Sequence, residues 1–190
     1  MINFKFDINK IIQIVNYLLK RNDGRVNYTK LIKLLYIADK EFFGQWDISI
    51  TQDSYASMSN GPVLSKTYDL IKDEIVSPEQ AQWNCLFTKD GYDLILLGDN
   101  NLPTSLLCEA EIQMLDEIDE KFKDYSYSDM IEYTHRYDLF PEVKWEEAGY
   151  SSIDLSIENI LISLKRTPEE IEAISQEIHS QQKVIEILLS

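Results

Sequence analysis

Cysteine is scarce in this chain: Cys85 and Cys108 are the only two among 190 residues. Two thiols make no disulfide framework and fit a reducing compartment. Histidine is as rare, with His135 and His179 alone. No Cys-x-x-Cys or His-x-x-x-His spacing is present, so neither a metal nor a cofactor is expected. The six glycines build no phosphate-cradling loop, because Asn60-Gly61-Pro62 lacks the required lysine and glycine spacing. A Gly-x-Ser-x-Gly elbow is missing too. No apolar run approaches the roughly 18 residues of a membrane span. The opening Met1-Ile-Asn-Phe-Lys-Phe-Asp7 has no apolar signal core, so no leader is expected. Positive charge is short, at 18 Lys and Arg against 33 Asp and Glu, a net of −15. That field repels free nucleic acid and anionic membrane alike. These absences together predict a cytoplasmic protein with neither membrane nor direct nucleic-acid partners.

What remains is ordinary globular material, 44% hydrophobic and 27% charged. A chain of this length buries roughly two-thirds of its unfolded surface and needs no staple. The charge is uneven. Up to Gly44 there are eight basic and four acidic residues, a net of +4; the rest carries 10 and 29, a net of −19. This predicts an electropositive end and an acidic remainder, which serves solubility or complements a basic protein partner.

Asp7 caps a predicted helix with Ile8, Ile11, Ile12, Val15, Leu18 and Leu19 on one face, stopped by Asn22-Asp23-Gly24. Thr29 opens a second helix that ends at Gly44. Trp46, Ile48 and Ile50 alternate with polar residues as a short strand does. Ser59-Asn60-Gly61-Pro62 is a turn, with Pro62 placed for the first position of a helix carrying Leu64, Tyr68, Ile71 and Ile75; Pro78 lies in the break after it. Trp83–Leu97 reads as a hairpin around Asp90-Gly91, and Asp99–Pro103 as a loop. A helix follows from Thr104 or Ser105 to Lys123, then a short one from Asp129 to Arg136 capped by Ser126 or Ser128, then Trp145 in a loop. Ser156 and Thr167-Pro168-Glu169-Glu170 start two more helices. The expected fold is α+β, a mostly helical single domain with a small antiparallel hairpin packed on the helices. Residues 1–150 form its body; residues 151–190, after Gly149-Tyr-Ser-Ser152, are appended to that body or bind a partner.

Three features bear on function. Six acids, among them Glu109, Asp116, Glu117 and Glu120, crowd the outer face of the helix ending at Lys123 and require solvent or a basic neighbour. Ile171, Ile174, Ile178, Ile185 and Leu188 make a narrow apolar seam, which docks on its own domain or on a partner. Tyr125, Tyr127, Tyr133 and Tyr137 suit an interface or an internal seam equally. His135 reads as a half-buried histidine bonded to backbone or carboxylate, since pairing it with a cysteine has no support from spacing.

Thr29-Lys30-Leu31-Ile32-Lys33-Leu34-Leu35-Tyr36-Ile37-Ala38-Asp39 resembles the opening motif of the SocA-like family, the Panacea antitoxin domain. Thr51-Gln-Asp-Ser-Tyr-Ala56, Gly61-Pro62-Val63 through Tyr68-Asp69-Leu70, and Thr134-His135 with Trp145 continue the likeness in order over residues 28–145. Relatives often carry histidine where this chain has Asn60, and asparagine serves the turn as well. The resemblance implies a bacterial or phage-associated antitoxin that neutralises a cognate toxin by direct protein contact, without catalysis and with no catalytic residues to carry over. It also implies, as alternatives, a proteolytic adaptor presenting its partner to a protease. A cryptic enzyme or small-molecule sensor near His135, Tyr133 and Trp145 is a third possibility. In that likeness Leu34, Leu35, Tyr36, Ala38 and Asp39 belong to the packed helix and Asn60, Gly61, Pro62 and Val63 to the turn. Thr134, His135 and Trp145 fix the tail.

Overall fold

The computed structural model describes residue 2 and residues 4–73, 77–98, 102–149 and 151–189, without the side chains of 185, 186, 188 and 189. Helix α1 (Ile8–Arg21) starts where the Asp7 carboxylate accepts from the Asn9 N–H at 2.9 Å. It ends at Asn22, after which Asp23 and Gly24 turn the chain at positive φ. Three residues then form β1 (Arg25–Asn27), and Asn27 caps α2 (Tyr28–Trp46) by accepting from the N–H groups of Thr29 and Lys30. This second helix is the axis of the molecule. It is buried around most of its circumference, with Leu31, Leu34, Leu35, Tyr36, Ala38 and Phe43 all within the core.

Helix α2 passes through Gly44, where the sequence predicted its end, and stops at Asp47 in the left-handed conformation. The predicted strand over Trp46–Ile50 does not form. Trp46 finishes the helix, and the N–H groups of Ile50 and Thr51 are taken by the Asp39 carboxylate, each at 2.9 Å, which bends the chain back. The next elements are β2 (Tyr55–Met58) and β3 (Gly61–Leu64), an antiparallel hairpin about the Ser59-Asn60 turn. Pro62 therefore lies in a strand, opposite Ser57, and not at a helix start. It is tolerated because β3 is an edge. Helix α3 (Ser65–Lys72) begins three residues later, and Ile75 lies outside the described residues. Pro78 opens α4 (Pro78–Asn84) with Ser77 as its cap; it is no part of a break, because its missing N–H costs nothing in a first turn.

The expected hairpin is narrower than Trp83–Leu97: Trp83 belongs to α4, and β4 (Phe87–Asp90) and β5 (Asp93–Leu96) close around Gly91. Strand β1 adds to β5, giving a three-stranded sheet in the order β1-β5-β4. The loop over 99–101 falls outside the described residues. Helix α5 (Glu109–Lys121) starts later than Thr104, because Cys108 and Glu111 form a capping box that fixes its first turn. Next come α6 (Tyr127–Thr134), capped by Ser126, and α7 (Trp145–Ala148), a short turn of helix where a loop was expected. Strand β6 (Ile153–Leu155) pairs with β2 and completes a second sheet, β3-β2-β6. Helices α8 (Ile157–Ser163) and α9 (Pro168–Leu189) follow, both with the predicted caps, Ser156 and Thr167. The fold is α+β and mostly helical. Among the described residues it holds two small antiparallel sheets where one hairpin was expected.

Part of the positive charge of the first 44 residues is matched inside the fold, where two cations of helix α1 meet α5. Lys10 pairs with Glu111 at 2.7 Å, and Arg21 with Asp119 at 2.8 Å and Asp116 at 3.0 Å. Tyr17 donates to Asp116 as well. The crowded acids of α5 thus have a basic neighbour on their inner side.

Candidate functional site: a polar junction on the central helix

A helix buried on nearly every side cannot send polar side chains to water, so each must find a partner inside. Helix α2 carries Lys30, Lys33 and Lys40, all buried, and each ammonium donates to a backbone carbonyl. Lys30 Nζ reaches the Lys123 carbonyl beyond α5 at 2.9 Å. Lys33 Nζ reaches the Pro62 carbonyl at 2.6 Å, and Lys40 Nζ the Leu139 carbonyl at 2.7 Å. Three separate segments are thereby tied to one helix. Lys40 also meets Glu142 in a buried ion pair at 2.7 Å, and Tyr36 donates to the same carboxylate at 2.8 Å. Burial, with Glu142 beside it, holds the Tyr36 phenol well above its ordinary range.

Two aspartates order the chain after α2. Asp39 accepts from Ile50, Thr51 and Tyr55, including the Thr51 hydroxyl. Burial pushes its carboxyl up to about 6 while those donors pull the other way. Asp53 accepts from the N–H groups of Ser54, Lys66 and Thr67 and from the Thr67 hydroxyl, so it serves as the side-chain cap of α3. Burial raises it as well.

The segments of the sequence motif meet beside Lys33. Gly61 sits at φ +93°, and a Cβ placed on it would lie 2.7 Å from Thr134 Oγ1, 3.3 Å from Lys33 Nζ and 3.5 Å from His135 Cδ2. Thr134 is fully buried, its hydroxyl bonded back to the Met130 and Ile131 carbonyls. His135 stacks on Trp145, with ring centroids 4.2 Å apart and planes 13° apart, and hydrogen-bonds the Ser59 backbone. Its Nε2 is buried without a partner. Burial and the neighbouring Lys33 charge lower its pKa, so the imidazole is neutral at physiological pH. Asn60 stands exposed in the turn, and Val63 is buried in β3.

Burial alone brings the Lys33 ammonium down from 10.5 to about 7. Between those two values the unfolded chain binds more protons than the folded one, so stability rises with pH across that window. We expect the melting temperature of the wild type to gain on that of Lys33→Met as pH is raised from about 7 to about 10. A difference that stays constant with pH would show that the ammonium is not desolvated.

The other sequence-nominated residues lie elsewhere. On α5, Glu109, Glu117 and Glu120 are exposed, while Asp116 is engaged by Arg21 and Tyr17. On α9, Ile174 and Ile178 are buried in the core cluster and Ile171 packs on its edge. The side chains of Ile185 and Leu188 lie outside the described residues. Tyr125 and Tyr133 form an aromatic group with Phe122, while Tyr127 and Tyr137 are exposed. The sequence reading passed over the lysines of α2 and Glu142. The available signal was three lysines set 3 and 7 residues apart inside an otherwise apolar helix. Among the described residues no group of three or more His, Cys, Asp or Glu could hold a metal ion, and no helix is long and apolar enough to cross a membrane.

The geometry defines a mostly helical α+β protein in which distant segments are tied by buried polar groups to one central helix. Residues 31–146 match the model of the antitoxin SocA-like, Panacea domain, and the chain belongs to that family. The matched span runs from α2 to α7 and includes Lys33, Gly61, Pro62, Thr134, His135 and Trp145. No curated protein and no solved structure matches the chain.

Proposed function

We propose that this protein is an antitoxin that neutralises a cognate toxin protein by covering it, with no bond-making of its own. Membership of the SocA-like family carries this reading. The motif residues support it, because they hold the fold: Gly61 and Thr134 are packed against each other, and His135 stacks on Trp145. The contact surface we assign is the outer ridge of α5, where Glu109, Glu117 and Glu120 face solvent, together with the outer part of α9, where Val184 and Ile187 are exposed. The inner acids of α5 are already matched by α1, while the outer ones make only exposed local contacts, Glu117 with the Gln113 amide and Glu120 with Lys123, which a basic partner can replace. An acidic ridge of this kind competes with an anionic substrate for a basic enzyme surface.

The test is co-expression with the product of the neighbouring reading frame. Growth arrested by that product is expected to be restored by this protein. The purified pair should dissociate about tenfold more readily when ionic strength is raised from about 0.05 to about 0.5 M. The double variant Glu117→Lys, Glu120→Lys should weaken the pair by at least as much, with its melting temperature unchanged within a few degrees. Affinity indifferent to both salt and charge reversal would remove the electrostatic surface. Unrelieved toxicity would remove the antitoxin reading. Restoration that coincides with a shortened toxin half-life would instead make the protein a protease adaptor.

A further inference from the structure

A cavity of about 340 Å³ opens beside the first turns of α2, bounded by the β2–β3 turn, α3, α6 and the tip of the β4–β5 hairpin. Its size lies at the lower end of small-molecule pockets. Four tyrosines line it, Tyr28, Tyr68, Tyr92 and Tyr127, with the aliphatic Ile32 and Val63 between them. Tyr28 is held between two of the others, with ring centroids 6.5 Å from Tyr68 and 6.0 Å from Tyr92. Such walls present flat, rigid apolar area with polar tips.

The electrostatics of this cavity are opposite to those of the chain. The protein carries 33 acids, yet no Asp or Glu lines it, and Lys33 supplies its one cationic side chain. Lys33 Nζ makes one hydrogen bond among the described residues, to the Pro62 carbonyl, so when protonated it has two further N–H groups to offer. Lys72 stands over the Tyr28 and Tyr68 rings, at 5.6 and 5.5 Å from their centroids, and adds positive potential to that wall. The first turn of α2 holds no acid, and its N–H groups are taken by the neutral acceptors Asn27 Oδ1 and the Tyr92 carbonyl, so no negative charge offsets the positive helix end there. A lysine buried in the wall of an acid-free, aromatic-lined space is matched by an anion with a flat body, which would favour its charged form.

We propose that this cavity binds a small ligand made of one aromatic ring with an anionic head, carboxylate or phosphate, with Lys33 as counter-ion to the head and the tyrosines as walls for the ring. The site is separate from the contact surface assigned on α5 and α9, and it is lined by Tyr127 and Ile131 of α6 in place of Tyr133, His135 and Trp145.

The probes are 4-hydroxybenzoate, phenyl phosphate and the neutral 4-hydroxybenzamide, titrated calorimetrically into the full chain. One or both anions are expected to bind saturably at one site, and which of them binds distinguishes carboxylate from phosphate. The neutral amide should bind at least about tenfold more weakly, since it cannot neutralise Lys33. Lys33→Met should lose the anions by a similar factor. Because that variant also leaves the Pro62 carbonyl unpaired, Thr29→Trp provides a second test. Thr29 lines the cavity and its side chain is not used in the cap, so tryptophan fills the space while Lys33 stays in place. It should abolish binding with an unchanged circular dichroism spectrum. Failure of both anions to saturate by about 10 mM overturns the proposal. So does equal affinity for the amide, or undiminished binding in a folded Lys33→Met or Thr29→Trp chain. None of these results bears on toxin neutralisation, which is read separately by growth.

Discussion

Replacing Gly61 by alanine is expected to cost about 3 kcal/mol or more, enough to leave much of the chain unfolded near 37 °C. Two effects add. At φ +93° an L-residue is strained, and the new methyl would stand 2.7 Å from Thr134 Oγ1. That oxygen cannot swing aside cheaply: Thr134 is fully buried and bonded to two carbonyls of its own helix. Gly91 is the internal control. It also has positive φ, at +62°, but nothing lies within 4 Å of its added Cβ, so Gly91→Ala should cost only about 1 kcal/mol. Urea denaturation of both variants reads the difference. Equal losses would mean that the close approach at Gly61 is not a packing constraint.

Truncating Glu142 to alanine is expected to cost about 3–5 kcal/mol, because it leaves the Lys40 ammonium buried without its counter-charge. Lys40 would keep only the Leu139 carbonyl and the face of the Phe140 ring, and Tyr36 would lose its acceptor. The double variant Lys40→Met, Glu142→Leu should recover much of that loss, since a buried ion pair replaced by apolar groups of similar size is often near neutral. Thermal unfolding of the two single variants and the double variant tests this. A double variant as unstable as the single ones would show that the site depends on the pair's hydrogen bonds and not on charge compensation. The same logic separates Lys40 from Lys33: Lys40 has a carboxylate partner, and Lys33 has none.

Local signals in the chain were sufficient where one residue acts on its near neighbours. The caps at Asp7, Ser156 and Thr167 stand where their side chains predicted them, and of the two serines offered for α6 it is Ser126 that caps, because a cap bonds within three residues. Gly91 closes the hairpin for the same reason. The errors lie where a distant partner decides. Alternating Trp46, Ile48 and Ile50 read as a strand, but Asp39, 11 residues before Ile50, captures the backbone N–H groups of Ile50 and Thr51. Pro62 read as a helix start, but the pairing of β3 with β2 makes it an edge-strand residue. Strands β1 and β6 have three residues each, too few for any period to show, and they exist because β5 and β2 offer open edges.

By itself the sequence determined the helical, acidic character of this protein and the order of its family motif, since these follow from composition and short spacings. Only the tertiary structure decided where the charges go. Hydrogen bonds and ion pairs act within a few ångströms and are blind to chain separation. Lys10, Arg21, Arg25, Lys30 and Lys40 are therefore met by carboxylates or carbonyls that folding brings to them, and Lys33, bonded to the Pro62 carbonyl, lines a cavity without acids.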